Sequence, residues 1–396
     1  MRIQIGRRLG FNGILAFLLM FLLKVENGYS CELTVKNLAI NTEELSAYDY
    51  FIKGRNSYLL STPRGYKDAI NWYKKALEID EKYAPAYAGL GETYSILGGW
   101  KEENGEKGYE VFYNKSLEYG LKAVELAPNL SHSHRALATI YYVLGRYEEA
   151  EREAKEAVNI NPNDAETYFI LWKVTGKDPN SEYIRKSLDL NPNLPMVHND
   201  LGTAYLASGN YDKAVYHLTR TVDLNPDSAV AYNNLGHALA EIRQIEEAIK
   251  EYKKSIEIDP NNDLAHSNLA TALVNKGDIG KAIREYKKAV EINPNSALFH
   301  YNLGTALLLG GSIEEGIKEL KRTVKLNPNF GEAYTNLGRA LLEVGKIDEA
   351  LEAFEKAINI NPDDVLARRH LVRAFEATGQ TERVVHYQKF IELIPQ

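Results

Sequence analysis

The sequence predicts an all-α solenoid, a stack of antiparallel helix pairs, and three observations lead to it. Eight prolines (Pro128, Pro162, Pro192, Pro226, Pro260, Pro294, Pro328 and Pro362) recur every 34 residues, apart from one step of 30 between Pro162 and Pro192. Each closes an amphipathic stretch such as the SIEIDP ending at Pro260. Small residues recur in the same register as the prolines, and so does a glycine midway between them. A fixed period of this length marks helix–turn–helix units that stack on their neighbours and share no single central core. Such units occupy nearly the whole of the 396 residues and leave little room for a catalytic domain.

Each element has a physical reason. Counting Ala229 as position 1, the unit Ala229–Pro260 has Leu235 at 7, Gly236 at 8, Ala248 at 20, Tyr252 at 24 and Pro260 at 32. Position 8 is small in Gly91, Ala138, Gly202, Gly236, Ala270, Gly304 and Gly338, and position 20 in Ala69, Ala150, Ala214, Ala248, Ala282, Gly316 and Ala350. Small residues on both helices allow close packing, with Leu at position 7 filling the space beside them. Position 15 is Gly98, Gly145, Gly209, Gly277, Gly311, Gly345 or Gly379, the left-handed residue expected to end helix A, with Arg243 as the exception. Asp164, Ser228, Asn262, Ser296 and Asp364 are placed to cap the following helix, and Pro ends helix B.

Ten units are expected: four irregular ones over 50–192, regular ones over 193–364, and a capping unit over 365–396. The first runs from about 50 to 81 without the proline, and the second carries an insert, 100–112, between its helices. The fourth, 165–192, is four residues short. The last has Val372 and Val384 in place of small residues and Gln388 at position 24.

The pattern resembles the tetratricopeptide repeat (TPR), W-x2-L-G-x2-Y, A-x3-F, P, in register over about 350 residues. The resemblance implies a right-handed superhelix with a concave groove that binds protein partners. The repeat region is similar to that of O-GlcNAc transferases. Its first part is similar to the TPRs that bacteria append to regulators, whose effector domains precede the repeats; only about 45 residues precede them here.

The first residues differ from everything after them. Arg2, Arg7 and Arg8 precede an apolar run from Phe11 to Leu23. A basic start, a short apolar run and small residues at Gly28 and Ser30 point to a signal peptide or N-terminal membrane anchor over 1–30, followed by a polar linker over 31–49. Cys31, the only cysteine, follows the candidate cleavage point and is a candidate for lipidation. An exported protein is expected, periplasmic or anchored at the bacterial envelope membrane.

The charge of −7, with acids and bases interleaved, argues against a nucleic-acid partner. No phosphate loop, dinucleotide fingerprint or nucleophile elbow is present, so neither enzymatic activity nor a cofactor is expected. His134, His198, His266 and His300 fall at position 4, where other units have Tyr; they are expected to pack between helices rather than to hold a metal.

The candidate binding residues lie on helix A at positions 2, 5, 6, 9, 12 and 13. Position 6 repeats as Asn234, Asn268, Asn302 and Asn336. Amides in register suit the backbone of an extended peptide, or alternatively hydrogen bonds between neighbouring units. Asn199 and Asn233 at position 5, and His237, Thr271, Thr305 and Arg339 at position 9, complete the expected peptide-binding set. The expected function is a non-enzymatic scaffold for protein or peptide partners. Two alternatives are a structural part of an envelope export or assembly machine and a TPR partner subunit of a glycosyltransferase.

Overall fold

A computed structural model describes residues 45–380, apart from Ser61 and 104–106, together with Val384. The expected signal or anchor segment, Cys31 and Gln388 lie outside the described residues. Every described regular element from Ala47 on is a helix, and the helices pair into a right-handed superhelical solenoid. The irregular units contain α1 (Ala47–Leu59), α2 (Pro63–Ile79), α3 (Ala84–Glu103), α4 (Tyr109–Leu126), α5 (Ser131–Val143), α6 (Tyr147–Ile160), α7 (Ala165–Val174) and α8 (Glu182–Leu190). The regular units contain α9 (Pro195–Ala207), α10 (Tyr211–Leu224), α11 (Ala229–Glu241), α12 (Ile245–Ile258), α13 (Asp263–Asn275), α14 (Ile279–Ile292), α15 (Ala297–Leu309), α16 (Ile313–Leu326), α17 (Gly331–Glu343) and α18 (Ile347–Ile360). Helix α19 (Val365–Ala377) opens the last unit. Each helix packs on the next, and helix A of one regular unit also touches helix A of the following one.

The periodic residues do specific work. A Cβ added to Gly236 would lie 2.7 Å from the Tyr252 ring, and one added to Gly338 would lie 2.6 Å from Phe354. At these sites position 8 is therefore small because the bulky residue at position 24 lies over it; at Gly91, Gly304 and Gly316 backbone atoms of the paired helix themselves come within about 3 Å of the added carbon. Gly145, Gly209, Gly277, Gly311, Gly345 and Gly379 all have positive φ. Arg243 takes the same left-handed conformation at φ 63°, with a side chain that disfavours it. The caps form as expected, with Ser228 accepting from the Ala231 N–H, Asn262 from Ala265 and Ser296 from Phe299.

The irregular units correct three expectations. Helix A of unit one begins at Ala47, and Gly54, packed against Tyr73, takes the role of position 8. The extra residues become an additional turn at the start of α2, which has 17 residues against 14 in α12. The 100–112 insert is mostly not a connection between helices: α3 has 20 residues against 13 in α11, and α4 has 18 against 14 in α12. The added turns stay helical because they bury aromatic surface: Trp100 packs edge-on to Tyr66 at 5.1 Å, and Phe112 lies 5.9 Å from Tyr94. Gly98 consequently lies inside α3, against Tyr113, and ends nothing. Unit four is short in both helices, with 10 residues in α7 and 9 in α8. Trp172, fully buried, fills the position-8 site there, and its indole N–H donates to Asp178 O at 2.7 Å.

Candidate functional site

Position 4 is a staple between units. Nε2 of His134, His198, His266 and His300 donates to the carbonyl of the proline six residues earlier, at 2.8–3.1 Å. Tyr87 reaches Glu81 O in the same way, and Arg368 reaches Pro362 O. The other ring nitrogen meets a carboxylate on helix B: Glu153 for His134, Glu285 for His266 and Glu319 for His300. Unit five differs, because His198 Nδ1 meets His217 Nδ1 at 2.9 Å. Burial lowers the pKa of both rings there, that of His217 to about 4, with His198 and Lys213 adding to the effect on His217. Among the described residues no group of His, Cys, Asp and Glu is placed to hold a metal.

The amide ladder lies at the seams between units. Asn234 donates to Asn199 Oδ1 at 3.1 Å, Asn268 to Asn233 Oδ1 at 2.9 Å, and Asn336 to the Tyr301 hydroxyl at 3.1 Å. Position 6 of one unit thus bonds to position 5 of the unit before it. This separates the expected set into two kinds. Asn233 is 7% exposed and serves the seam rather than an open groove, whereas Asn199 accepts at the seam and is half-exposed like the amides at position 6. Asn234, Asn268, Asn302 and Asn336 are half-exposed, and His237, Thr271 and Arg339 are exposed. Thr305 is half-buried, and the Thr271 hydroxyl bonds Ser267 O and the Tyr286 hydroxyl. One turn before the amides runs an exposed apolar ladder at position 2: Val230, Leu264 and Leu298, with Leu366 continuing it beyond Glu332.

The irregular units hold a different constellation, one that periodicity did not reveal. With α1 registered on Gly54, Arg55 falls at position 9, as does Glu92 of α3; Arg135 is at 5 in α5 and Glu166 at 2 in α7. Arg55 donates to Glu92 Oε2 at 3.1 Å and to both oxygens of Glu166 at 2.9 and 3.0 Å, across 111 residues of sequence. Arg135 meets Glu166 at 2.8 Å and Asp164 at 3.4 Å, and it donates to His132 Nδ1 at 2.6 Å. Burial opposes the charge of both arginines, but Glu166 and their other carboxylate partners outweigh it and raise their pKa values. Glu92 is raised by burial against the pull of Arg55 and Arg135. Glu166 is lowered: Arg135 and Arg55 overcome its burial. His132, buried beside both arginines, is held well below the usual imidazole value.

Next to this cluster is a cavity of 180 Å³, lined on the helix A faces by Tyr58, Glu92, Arg135, Thr139, Tyr142, Phe169 and Lys173, among others. The Lys173 ammonium lies 3.5 Å from Asp200 and 4.7 Å from the Tyr142 ring centre. A charged residue on an inward helix face, in a unit whose neighbours have small or polar residues there, was the available signal. The sequence does not show that these side chains meet, because they come one from each of four units and at four places that share no period.

Among the described residues no helix is long and apolar enough to cross a membrane. Comparison with known proteins places the repeats. Sequence models described as TPR repeat match residues 65–98, 202–242, 244–277 and 271–310, and those described as tetratricopeptide repeat match 131–164, 183–216 and 331–364. Human protein O-mannosyl-transferase TMTC1 is 28% identical over 146 residues, 36% of this chain and 15% of that protein. Tetratricopeptide repeat-containing protein trd-1 of Caenorhabditis elegans is 26% identical over 105 residues, 25% of this chain and 14% of its own length. The chain therefore spans only about a seventh of these relatives. A solved chain of the APC/C hetero-tetramer Cut9-Hcn1 aligns over 83% of this chain and 76% of its own, with a TM-score of 0.52 and 17% identity, a likeness of fold. With more than half of its residues matched by these models, the chain belongs to the tetratricopeptide repeat family.

Proposed function

We propose that the protein is a non-enzymatic scaffold that holds an extended peptide segment of a partner protein along the helix A faces of its regular units. The observation that carries this reading is the pairing of two ladders, half-exposed amides at position 6 and exposed aliphatic side chains at position 2. Each bridging amide uses one N–H at the seam and keeps a second N–H and its carbonyl for a peptide backbone. The apolar ladder beside it covers side chains without reading them closely. We further propose that the scaffold works in the periplasm or at the envelope membrane, supported by the basic–apolar layout of residues 1–30 and by Cys31 as a lipidation site. The match to TMTC1 covers too little of that enzyme to carry its activity over.

Crosslinking in the native host, followed by pull-down and mass spectrometry, tests the binding reading. Asn268→Ala, Asn302→Ala and Asn336→Ala together should remove partner crosslinks while circular dichroism stays helical; undiminished crosslinking would overturn it. A reporter active only outside the cytoplasm, fused after residue 35, tests export, and a silent reporter would reject it.

A further inference from the structure

We propose that the cavity at the concave face of units one to five is an anchor pocket for a tyrosine side chain of the bound peptide, an assignment that rests on the groove reading above. Arg135 is 7% exposed, and its Nε has no hydrogen-bond partner. Glu92 Oε1 lies 4.0 Å away, too far for a direct bond. One oxygen about 2.8 Å from each would bridge them, accepting from Nε–H and donating to the carboxylate. A hydroxyl does both with a single atom. A carboxylate offers no donor, and an ammonium offers no acceptor.

The charges around the cavity disfavour an ionic occupant. Three cations, Arg55, Arg135 and Lys173, face four carboxylates, Glu92, Glu166, Asp164 and Asp200. An added anion would deepen that excess of buried negative charge, and an added ammonium has no atom to accept from the Arg135 Nε–H. The walls select an aromatic carrier for the hydroxyl, since Tyr58, Tyr142, Phe169 and Ile170 surround the space. A cavity of about 150 Å³ holds a benzene ring, and this one measures 180 Å³. Tyrosine, an apolar ring with a polar tip, is a common buried anchor at protein interfaces. Apart from Tyr66 on α2, the lining comes from the groove positions of successive A helices, so a peptide in the groove of the regular units that continues past unit five passes over it.

Ligand-observed NMR titration of the full chain with N-acetyltyrosinamide and N-acetylphenylalaninamide tests the assignment. The tyrosine probe should bind about tenfold more tightly, the effect of one hydrogen bond made in a buried site. Val143, at the end of α5, also lines the cavity, and Val143→Phe, which fills it from that wall, should abolish binding without lowering the melting temperature. Equal binding of the two probes, no binding of either, or full binding to Val143→Phe would each overturn the proposal. Tighter binding of methyl mannoside than of the tyrosine probe would overturn it in favour of a sugar. The asparagine triple variant should keep the tyrosine probe while losing partner crosslinks. In the unsubstituted chain, failure to bind the tyrosine probe while the partner still crosslinks would sink the pocket alone and leave the groove standing.

Discussion

Units one to four and units five to nine share one helical frame and use the same inward positions, yet fill them differently. In the regular units an inward position repeats its chemistry every 34 residues, and the amides Asn234, Asn268 and Asn336 each bond to the adjacent unit. In the irregular units the same positions hold Arg55, Glu92, Arg135 and Glu166, one from each unit, and a single guanidinium joins the first unit to the fourth. Stacked repeats are ordinarily held by nearest-neighbour terms. The comparison teaches that abandoning the period frees those positions for contacts that skip neighbours. It also gives the irregular half a partly open cavity beside those charges.

The largest expected effect comes from breaking the long-range link. Arg55→Met keeps the apolar stem but leaves Glu92 and Glu166 short of a partner at a buried site. Losing one member of a buried charge network costs about 3–5 kcal/mol. Hydrogen exchange should show lost protection in α1, α3, α5 and α7, with α11 to α17 unchanged, because a solenoid unfolds in segments. A uniform loss along the chain would show that the two regions are one cooperative unit and that the contrast is only geometric.

Much of this contrast was legible in the sequence, and the rest was hidden for identifiable reasons. The prolines, the caps at Ser228 and Asn262 and the left-handed glycines are local signals, so the regular units could be derived from them. Each of the missed features depends on how helices extend or shift. Trp100 and Phe112 looked like members of a connection because nothing local reveals that Tyr66 and Tyr94 wait to pack against them. An extra turn at the start of α2 uncouples the registers of the two helices in unit one, so counting back from Ala69 gives Arg55 position 6, whereas Gly54 gives it position 9. Asn233 looked like a groove residue until the seam hydrogen bond from Asn268 placed it between units.

A second prediction sharpens the border between the regions. Unit five pairs His198 with His217 where units three, seven and eight pair His with Glu. Folding depresses the His217 pKa to about 4, so the unfolded chain takes up the proton first. The stability this ring contributes is present above about pH 6.5, and it is lost as pH falls from there toward 4. For a half-buried ring, discounted for solvent screening, the loss is about 1–2 kcal/mol. Hydrogen exchange of α9 and α10 at pH 7 and pH 5 measures it. His217→Glu, which installs the partner of the other units, should reduce the acid sensitivity of these two helices; equal sensitivity in the variant would place its origin elsewhere.

The smallest expected effect tests how far the regular units are optimised. Arg243 holds φ at 63°, where six other units have glycine. A left-handed side-chain-bearing residue costs about 1–2 kcal/mol, and glycine returns part of that by loosening the unfolded chain. Arg243→Gly should therefore stabilise the turn between α11 and α12 by about 0.5–1 kcal/mol. Slower hydrogen exchange at the ends of these two helices, with melting elsewhere unchanged, is the expected outcome. A neutral or destabilising result would mean that the Arg243 side chain makes a favourable contact worth as much as the strain. Position 15 would then vary in the regular units for the reason that inward positions vary in the irregular ones, because a side chain there has a partner.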